Sequence, residues 1–176
     1  LQKLAQEDPS FHVRTDDDSG RAVVSGMGEL HLEIIVDRMR REFDVAVNVG
    51  RPQIAWRETV RSSAEQDGRF LVSEAGANAQ YAEVRLRIQP LPRGSGYLFE
   101  NLAPADEVPG VFLSAIDQGI REQMANGIRA GYPVVDVSVT VTSGSHHLAD
   151  STELAFRMAA SMAFRDGCLK AGSVLL

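Results

Sequence analysis

Val134-Val135-Asp136-Val137-Ser138-Val139-Thr140-Val141-Thr142 alternates apolar and polar residues with a period of two, the pattern of a strand with one covered face. Val135, Val137, Val139 and Val141 are expected to point into a core. The same reading applies upstream to Glu83 to Gln89, with Val84, Leu86 and Ile88 inward, and Tyr97 to Leu102 adds a candidate strand. What covers these strands is legible between and after them. From Val108 to Asn126, Leu113, Ile116, Ile120 and Met124 recur at helical steps, with Pro109 near the start and Gly127 just past the end. A last helix is expected from about Ser151 to Ala171, opened by Asp150 with Glu153 three residues on, a variant of the capping box. On it Leu154, Met158 and Met162 join Phe156, Ala159, Ala160 and Ala163 in a broad apolar face, and the Met and Phe side chains read as core rather than as a cofactor site.

Toward the N-terminus the pattern changes. Leu1, Leu4 and Ala5 sit at helical spacing and are stopped by Asp8-Pro9. Strands Phe11 to Thr15 and Arg21 to Ser25 flank a turn, Asp16-Asp17-Asp18-Ser19-Gly20. A helix from Gly28 to Phe43 places Leu32, Ile35, Val36, Met39 and Phe43 on one face. Glu29 and Glu33 near its start and Arg38, Arg40 and Arg41 near its end complement the macrodipole. A short strand, Val45 to Val49, is expected next. The order helix, strand, strand, helix, strand is a ferredoxin-like split βαβ unit without its first strand. That strand would lie inside the sheet, so Val45 to Val49 should be left without a neighbour. Pairing with a second copy, in a dimer without physiological meaning, or a distorted or mobile first domain is the expected outcome. The whole chain is therefore α+β: an incomplete ferredoxin-like domain over residues 1–52, an extended segment over 53–60 and a second α+β domain over 61–176. Both ends read as internal to a longer protein, since the chain starts without Met inside a helical pattern and stops on Val174-Leu175-Leu176.

Composition narrows the function. With 176 residues and 44% hydrophobic content the chain can bury a core, while a net charge of −6 argues against a broad basic face for nucleic acid. A lone cysteine, Cys168, excludes an intramolecular disulfide framework and a cysteine-based zinc site. No apolar run approaches the roughly 20 residues that span a bilayer, and the polar start has no signal-peptide pattern. A cytoplasmic setting without membrane contact is expected.

Ser25-Gly26-Met27-Gly28-Glu29-Leu30-His31-Leu32-Glu33-Ile34 resembles the run that enters the second helix of domain III in elongation factor G and its relatives. Leu4-Ala5-Gln6-Glu7-Asp8-Pro9, Asn48-Val49-Gly50-Arg51-Pro52-Gln53 and Arg57-Glu58-Thr59 are similar to that family in order and spacing. Ala130-Gly131-Tyr132-Pro133-Val134-Val135-Asp136 and Asp150-Ser151-Thr152-Glu153-Leu154-Ala155-Phe156 resemble two hallmarks of its domain IV. The resemblance covers nearly the whole chain. It implies part of domain III followed by a domain IV similar to domain 2 of ribosomal protein S5, whose tip enters the decoding region of the small ribosomal subunit and uncouples the tRNA–mRNA duplex from decoding-site RNA during translocation. The implied partners are the ribosome, small-subunit rRNA and tRNA–mRNA. No cofactor is implied for these residues, GTP and magnesium being expected for the full-length parent.

By the same resemblance two loops, Ser73 to Tyr81 and Ser143 to Asp150, form the tip. A surface sliding along a nucleic-acid duplex needs small residues, hydrogen-bond donors and little charge. Gly76, Asn78, Gln80 and Tyr81 in the first loop and Gly144, Ser145, His146 and His147 in the second are the contacting candidates. His147 falls where the family has its tip histidine, and His146 where a tyrosine is usual. The first loop departs from the family's glycine-rich stretch with a basic residue and its Gly-Gln-Tyr-Gly-His run. Here Gln80-Tyr81 is flanked by Ala79, Ala82 and Glu83, which restricts positive φ and removes phosphate attraction. A paralogue serving ribosome recycling or a specialised elongation role could carry such a loop.

Other chemistries have weaker support. His146, His147 and Asp150 could ligate a metal or serve a hydrolase, but one loop fixes no ligand geometry. A Ser145-His147-Asp150 relay asks residues too close in sequence to converge. Gly26-Met27-Gly28 before a helix could cradle phosphate, yet a tight turn explains it. Gly26, Gly28, Glu29 and His31 read as an interdomain signature, His31 as a packing or interdomain contact. His12 supports no chemistry. A stand-alone RNA-binding module is opposed by the acidic balance.

Overall fold

The computed structural model describes residues 1–15, 21–51, 54–72 and 79–176. The chain divides into two compact units, Leu1–Ile54 and Ala55–Leu176, each with its own core. Matched to their families below, they are an incomplete ferredoxin-like split βαβ domain and an S5-like α+β domain.

In the first unit helix α1 (Gln2–Glu7) leads into strands β1 (His12–Thr15) and β2 (Ala22–Ser25), which pair antiparallel from His12↔Ser25 to Thr15↔Ala22. The expected turn at Asp16–Gly20 lies outside the described residues. Helix α2 (Glu29–Phe43) follows and ends on Asp44 in the left-handed conformation, φ 48°. Leu4, Phe11, Ile35 and Met39 are buried together, with Val13, Val24, Leu32 and Val47 packed around them. Phe43, expected on this face, is exposed in the last turn of α2. Arg38 reaches Glu7 and Glu42, both at 2.9 Å, tying α2 to α1.

The strand expected at Val45 to Val49 does not form. A strand needs a neighbour to take its N–H and C=O groups, and among the described residues none lies beside this segment. Val47 packs on the core, and the segment's backbone contacts are to α2: Val45 N–H to Met39 O and the Arg40 guanidinium to Val47 O.

The second unit is built on four strands, β4 (Ala64–Val72), β5 (Gln80–Pro90), β6 (Tyr97–Asn101) and β7 (Val137–Ser145), in the order β4-β5-β7-β6. β5 runs antiparallel to β4 and β7, and β6 runs parallel to β7. Helices α3 (Leu113–Asn126) and α4 (Glu153–Lys170) pack with this sheet. Their shared core takes Val84, Leu86 and Ile88 from β5, Val137, Val139 and Val141 from β7, Ile116 and Ile120 from α3, and Phe156 and Phe164 from α4. Arg85 pairs across strands with Asp67, and Arg87 with Glu65, so these arginines are occupied within the sheet.

Three expectations change here. Asp136 takes a left-handed conformation, φ 58°, with its carboxylate accepting Gly96 N–H at 2.8 Å. The alternation therefore slips by one before Val137, leaving Val134 buried and Val135 half-buried. The cap of α4 is Thr152, whose hydroxyl accepts Ala155 N–H at 3.1 Å, rather than Asp150. Leu154, Met158 and Met162 are exposed by 47%, 39% and 43%, not core. The inward face of α4 is instead Ala155, Phe156, Ala159, Ala160, Ala163 and Phe164. Small side chains let this helix lie almost on the sheet backbone: a Cβ on Gly68 of β4 would stand 2.1 Å from the Ala159 carbonyl oxygen. Leu154, Met158 and Met162 are then turned outward by the 100° step of the helix.

The segment 53–60, expected to be extended, ends in strand β3 (Glu58–Val60), which pairs antiparallel with β8 (Ser173–Leu175) within this second unit. Glu58 is only 1% exposed. Its carboxylate accepts N–H groups from Ile128, Arg129, Ala130 and Tyr132 at 2.9–3.2 Å and the Ser173 hydroxyl at 3.1 Å. Burial pushes this carboxyl up, and the converging N–H dipoles more than offset it, leaving the group below its ordinary value. Two of the characteristic sequence runs, Arg57-Glu58-Thr59 and Ala130-Gly131-Tyr132, are thus one interaction.

Candidate functional site

β5 begins at Gln80 and its antiparallel neighbour β7 ends at Ser145, so the start of β5 and the turn that follows β7 must meet at one end of the sheet. They do, through Tyr81. Its N–H donates to Asp150 O at 2.9 Å, and its carbonyl accepts the Ser151 hydroxyl at 2.7 Å. That same hydroxyl oxygen accepts His147 N–H at 2.9 Å, while His147 O accepts Ser151 N–H at 3.0 Å. The turn 147–151 is stitched by main-chain groups to the start of β5.

The side chains follow. The His147 ring meets the Tyr81 ring edge-on, centroids 4.5 Å apart at 66°, and the Arg69 guanidinium lies 5.6 Å from the Tyr81 ring centroid. Tyr81 is 9% exposed and its hydroxyl donates to Glu83 at 3.0 Å. It works as a platform for His147, which is exposed. Gln80 is half-buried at the strand start, and Gly76 and Asn78 lie outside the described residues. Leu148, beside His147, is 99% exposed.

Gly144 and Ser145 belong to β7 itself. Gly144 is small for an internal reason: a Cβ there would lie 2.5 Å from Val108 Cγ2 and 2.7 Å from the Glu83 carbonyl oxygen. Its N–H donates to the Glu107 carboxylate at 3.2 Å, and His146 Nδ1 lies 3.2 Å from the Glu107 carbonyl oxygen.

Among the described residues no group of three His, Cys, Asp or Glu is arranged to hold a metal. Nor do the Ser145 and Asp150 side chains hydrogen-bond the His147 ring there, so no nucleophile relay is assembled. Cys168 is buried, which pushes its thiol up to about 12 and keeps it unreactive.

In the first unit the signature residues close on themselves. His31 Nδ1 accepts Met27 N–H at 3.1 Å, so Nε2 donates to Asp8 at 2.8 Å. Hydrogen bonds from the Ser10 hydroxyl and N–H, with this one from His31, hold the Asp8 carboxyl below its usual range. A Cβ on Gly26 would fall 2.7 Å from the His31 ring, whereas Gly28 has open space around it and caps α2 only through its carbonyl. Glu29 opens α2, where a carboxylate suits the dipole. Of the packing and interdomain contacts read for His31, these two hydrogen bonds are packing contacts of its own unit.

Sequence reasoning missed Glu107 and Ser151 as members of this end of the sheet, and did not single out Leu148 within the loop Ser143 to Asp150 that it placed there. Ser151 was readable, standing between Asp150 and the cap of α4 as a hydroxyl without an obvious partner. Glu107 was not, because the run 102–108 has no period that places it.

Comparison with known proteins gives a consistent result. The family described as Elongation Factor G, domain III matches residues 1–51, and Elongation factor G, domain IV matches residues 52–172. The crystal structure of ttk003000868 from Thermus thermophilus is similar over 99% of this chain, with 36% identity and a TM-score of 0.70. The chain spans about a quarter of that protein, 26% of its length. Among the described residues no helix is long and apolar enough to cross a membrane.

Proposed function

The chain belongs to the elongation factor G family, and from that premise we propose that its second unit is a ribosome-inserting wedge that promotes tRNA–mRNA movement through the small-subunit decoding region. The observation that carries this is the junction of the start of β5 with the turn after β7 at one end of the sheet, where Tyr81 supports an outward His147 beside a fully exposed Leu148. Such an end acts by position. It offers a stacking ring and an apolar side chain to RNA bases and sugars, with no assembled nucleophile or metal cluster among the described residues. The acidic balance, −6 over the whole chain, suits a body that must leave RNA as readily as it enters. GTP hydrolysis with magnesium belongs, in this reading, to another part of the full-length cytoplasmic protein.

The test is cryo-EM of the full-length factor on ribosomes together with the rate of tRNA movement. The expected result is His147 and Leu148 in the decoding region and a rate slowed several-fold by His147→Ala. A tip that stays outside the decoding region, or equal rates for variant and parent, removes the reading. Glu83, which takes the Tyr81 hydroxyl where the family carries a histidine, favours a second reading as a recycling or specialised elongation factor. Ribosome splitting without tRNA movement would select it.

A further inference from the structure

We propose that His146, oriented by Glu107, is a specificity-determining residue of this tip: a hydrogen-bond acceptor for donor groups on RNA, the ribose 2′-hydroxyl or a base amino group. The proposal rests on the reading that this end meets RNA, and it starts from a gap in the ladder. β6 stops pairing at Asn101, opposite Val141, so residues 142–145 of β7 have no strand beside them on that side among the described residues. The run 102–108 takes that place. Leu102 N–H donates to Val141 O at 2.9 Å, and Pro104 O accepts the N–H groups of Glu107 and Val108 at 3.0 and 2.9 Å, closing a turn. The Glu107 carboxylate then stands in for the missing strand by accepting Gly144 N–H at 3.2 Å.

Held this way, the Glu107 carbonyl oxygen lies 3.2 Å from His146 Nδ1. A carbonyl only accepts, so Nδ1 carries the proton, and a neutral ring must present Nε2 as a bare acceptor. Among the described residues Nε2 has no partner within the chain. Phosphate brings only acceptors and gains nothing from such a nitrogen, and the Glu107 carboxylate, held on Gly144 N–H two residues away, adds like charge. Ribose hydroxyls and base amino groups bring the donor it lacks. A tyrosine, usual at this position, would donate as well as accept; His146 narrows the tip to one sense of hydrogen bond.

Nitrogen-15 NMR of the chain reads the ring directly. A proton on Nδ1 with a bare Nε2 is expected, and a neutral ring protonated on Nε2 instead overturns the assignment. The functional arm uses the full-length factor on ribosomes. His146→Phe keeps the ring and removes the acceptor, and should slow tRNA movement about three- to tenfold, the worth of one hydrogen bond. Single 2′-deoxy substitutions scanned through codon and anticodon should include one that causes the same loss and adds nothing to His146→Phe. If an inosine-for-guanosine substitution is the non-additive one, the donor is the base amino group. A parental rate for His146→Phe, or additivity with every substitution, overturns the proposal. Failure of the underlying reading looks different, because His147→Ala would then also run at the parental rate.

Discussion

His31 stands in a characteristic run of the first unit and His147 in a candidate tip loop of the second, and the fold uses them in opposite ways. Both ring nitrogens of His31 are spent, one on Met27 N–H and one on Asp8, and a Cβ on the preceding Gly26 would collide with the ring. His147 is held by its main chain, through Ser151, while its ring only rests against Tyr81. A histidine fixed through its ring nitrogens is part of the scaffold; one fixed through its backbone is on offer. How completely each group is occupied by its own fold sets what its removal should cost.

The heaviest loss is expected at the extreme of the first kind, Glu58, which has a buried carboxylate and five donors. Glu58→Ala strands those donors and should destabilise the second unit by about 3–5 kcal/mol, read from denaturant midpoints. Its folded carboxyl lies below the ordinary value of 4.5, so its contribution is full above that pH and is lost as pH falls through the depressed value. Glu58→Gln should therefore flatten the acid limb of the stability profile below pH 4.5. An unchanged limb would show that the carboxylate is not what the loop 127–132 is built around.

Next comes His31→Ala, expected to cost about 1–3 kcal/mol in the first unit by leaving Met27 N–H and Asp8 unpartnered. Faster hydrogen exchange at the start of α2 would register it. Ser151→Ala removes the hydroxyl that joins His147 N–H to the Tyr81 carbonyl and should cost about 1 kcal/mol. It should also loosen the edge-on ring contact, visible as loss of ring-current shifts at His147. His147→Ala comes last: within about 0.5 kcal/mol in stability, as for an exposed side chain, despite its effect on tRNA movement. A large loss there would abolish the distinction between the two histidines.

Local periodicity made most of the fold legible. Val84, Leu86 and Ile88, and Val137, Val139 and Val141, are fully buried as their alternation requires. What sequence reading lost was set by backbone contact. β4 escaped notice because its inward positions, among them Ala64, Gln66 and Gly68, look polar or small, and Gly68 is small because α4 lies so close. That same approach turned Met158 and Met162 outward. Val45 to Val49 had strand composition but no partner among the described residues, and pairing rather than propensity decides a strand. At the candidate site Tyr81 and His147 were expected together and are in contact, while Glu107 acts from a run without a readable pattern.

The ladder between β5 and β7 skips one residue: Leu86 faces Val141 and Arg85 faces Ser143, leaving Thr142 as a bulge with its hydroxyl on the Arg85 carbonyl. A bulge bends the strand and re-aims what lies beyond it. Losing that single residue would regularise the pairing without turning any buried valine to solvent. Everything from Ser143 onward would nonetheless point elsewhere. Drift in chain length at this one position is therefore a route by which descendants of this protein could redirect their reach while keeping the same interior.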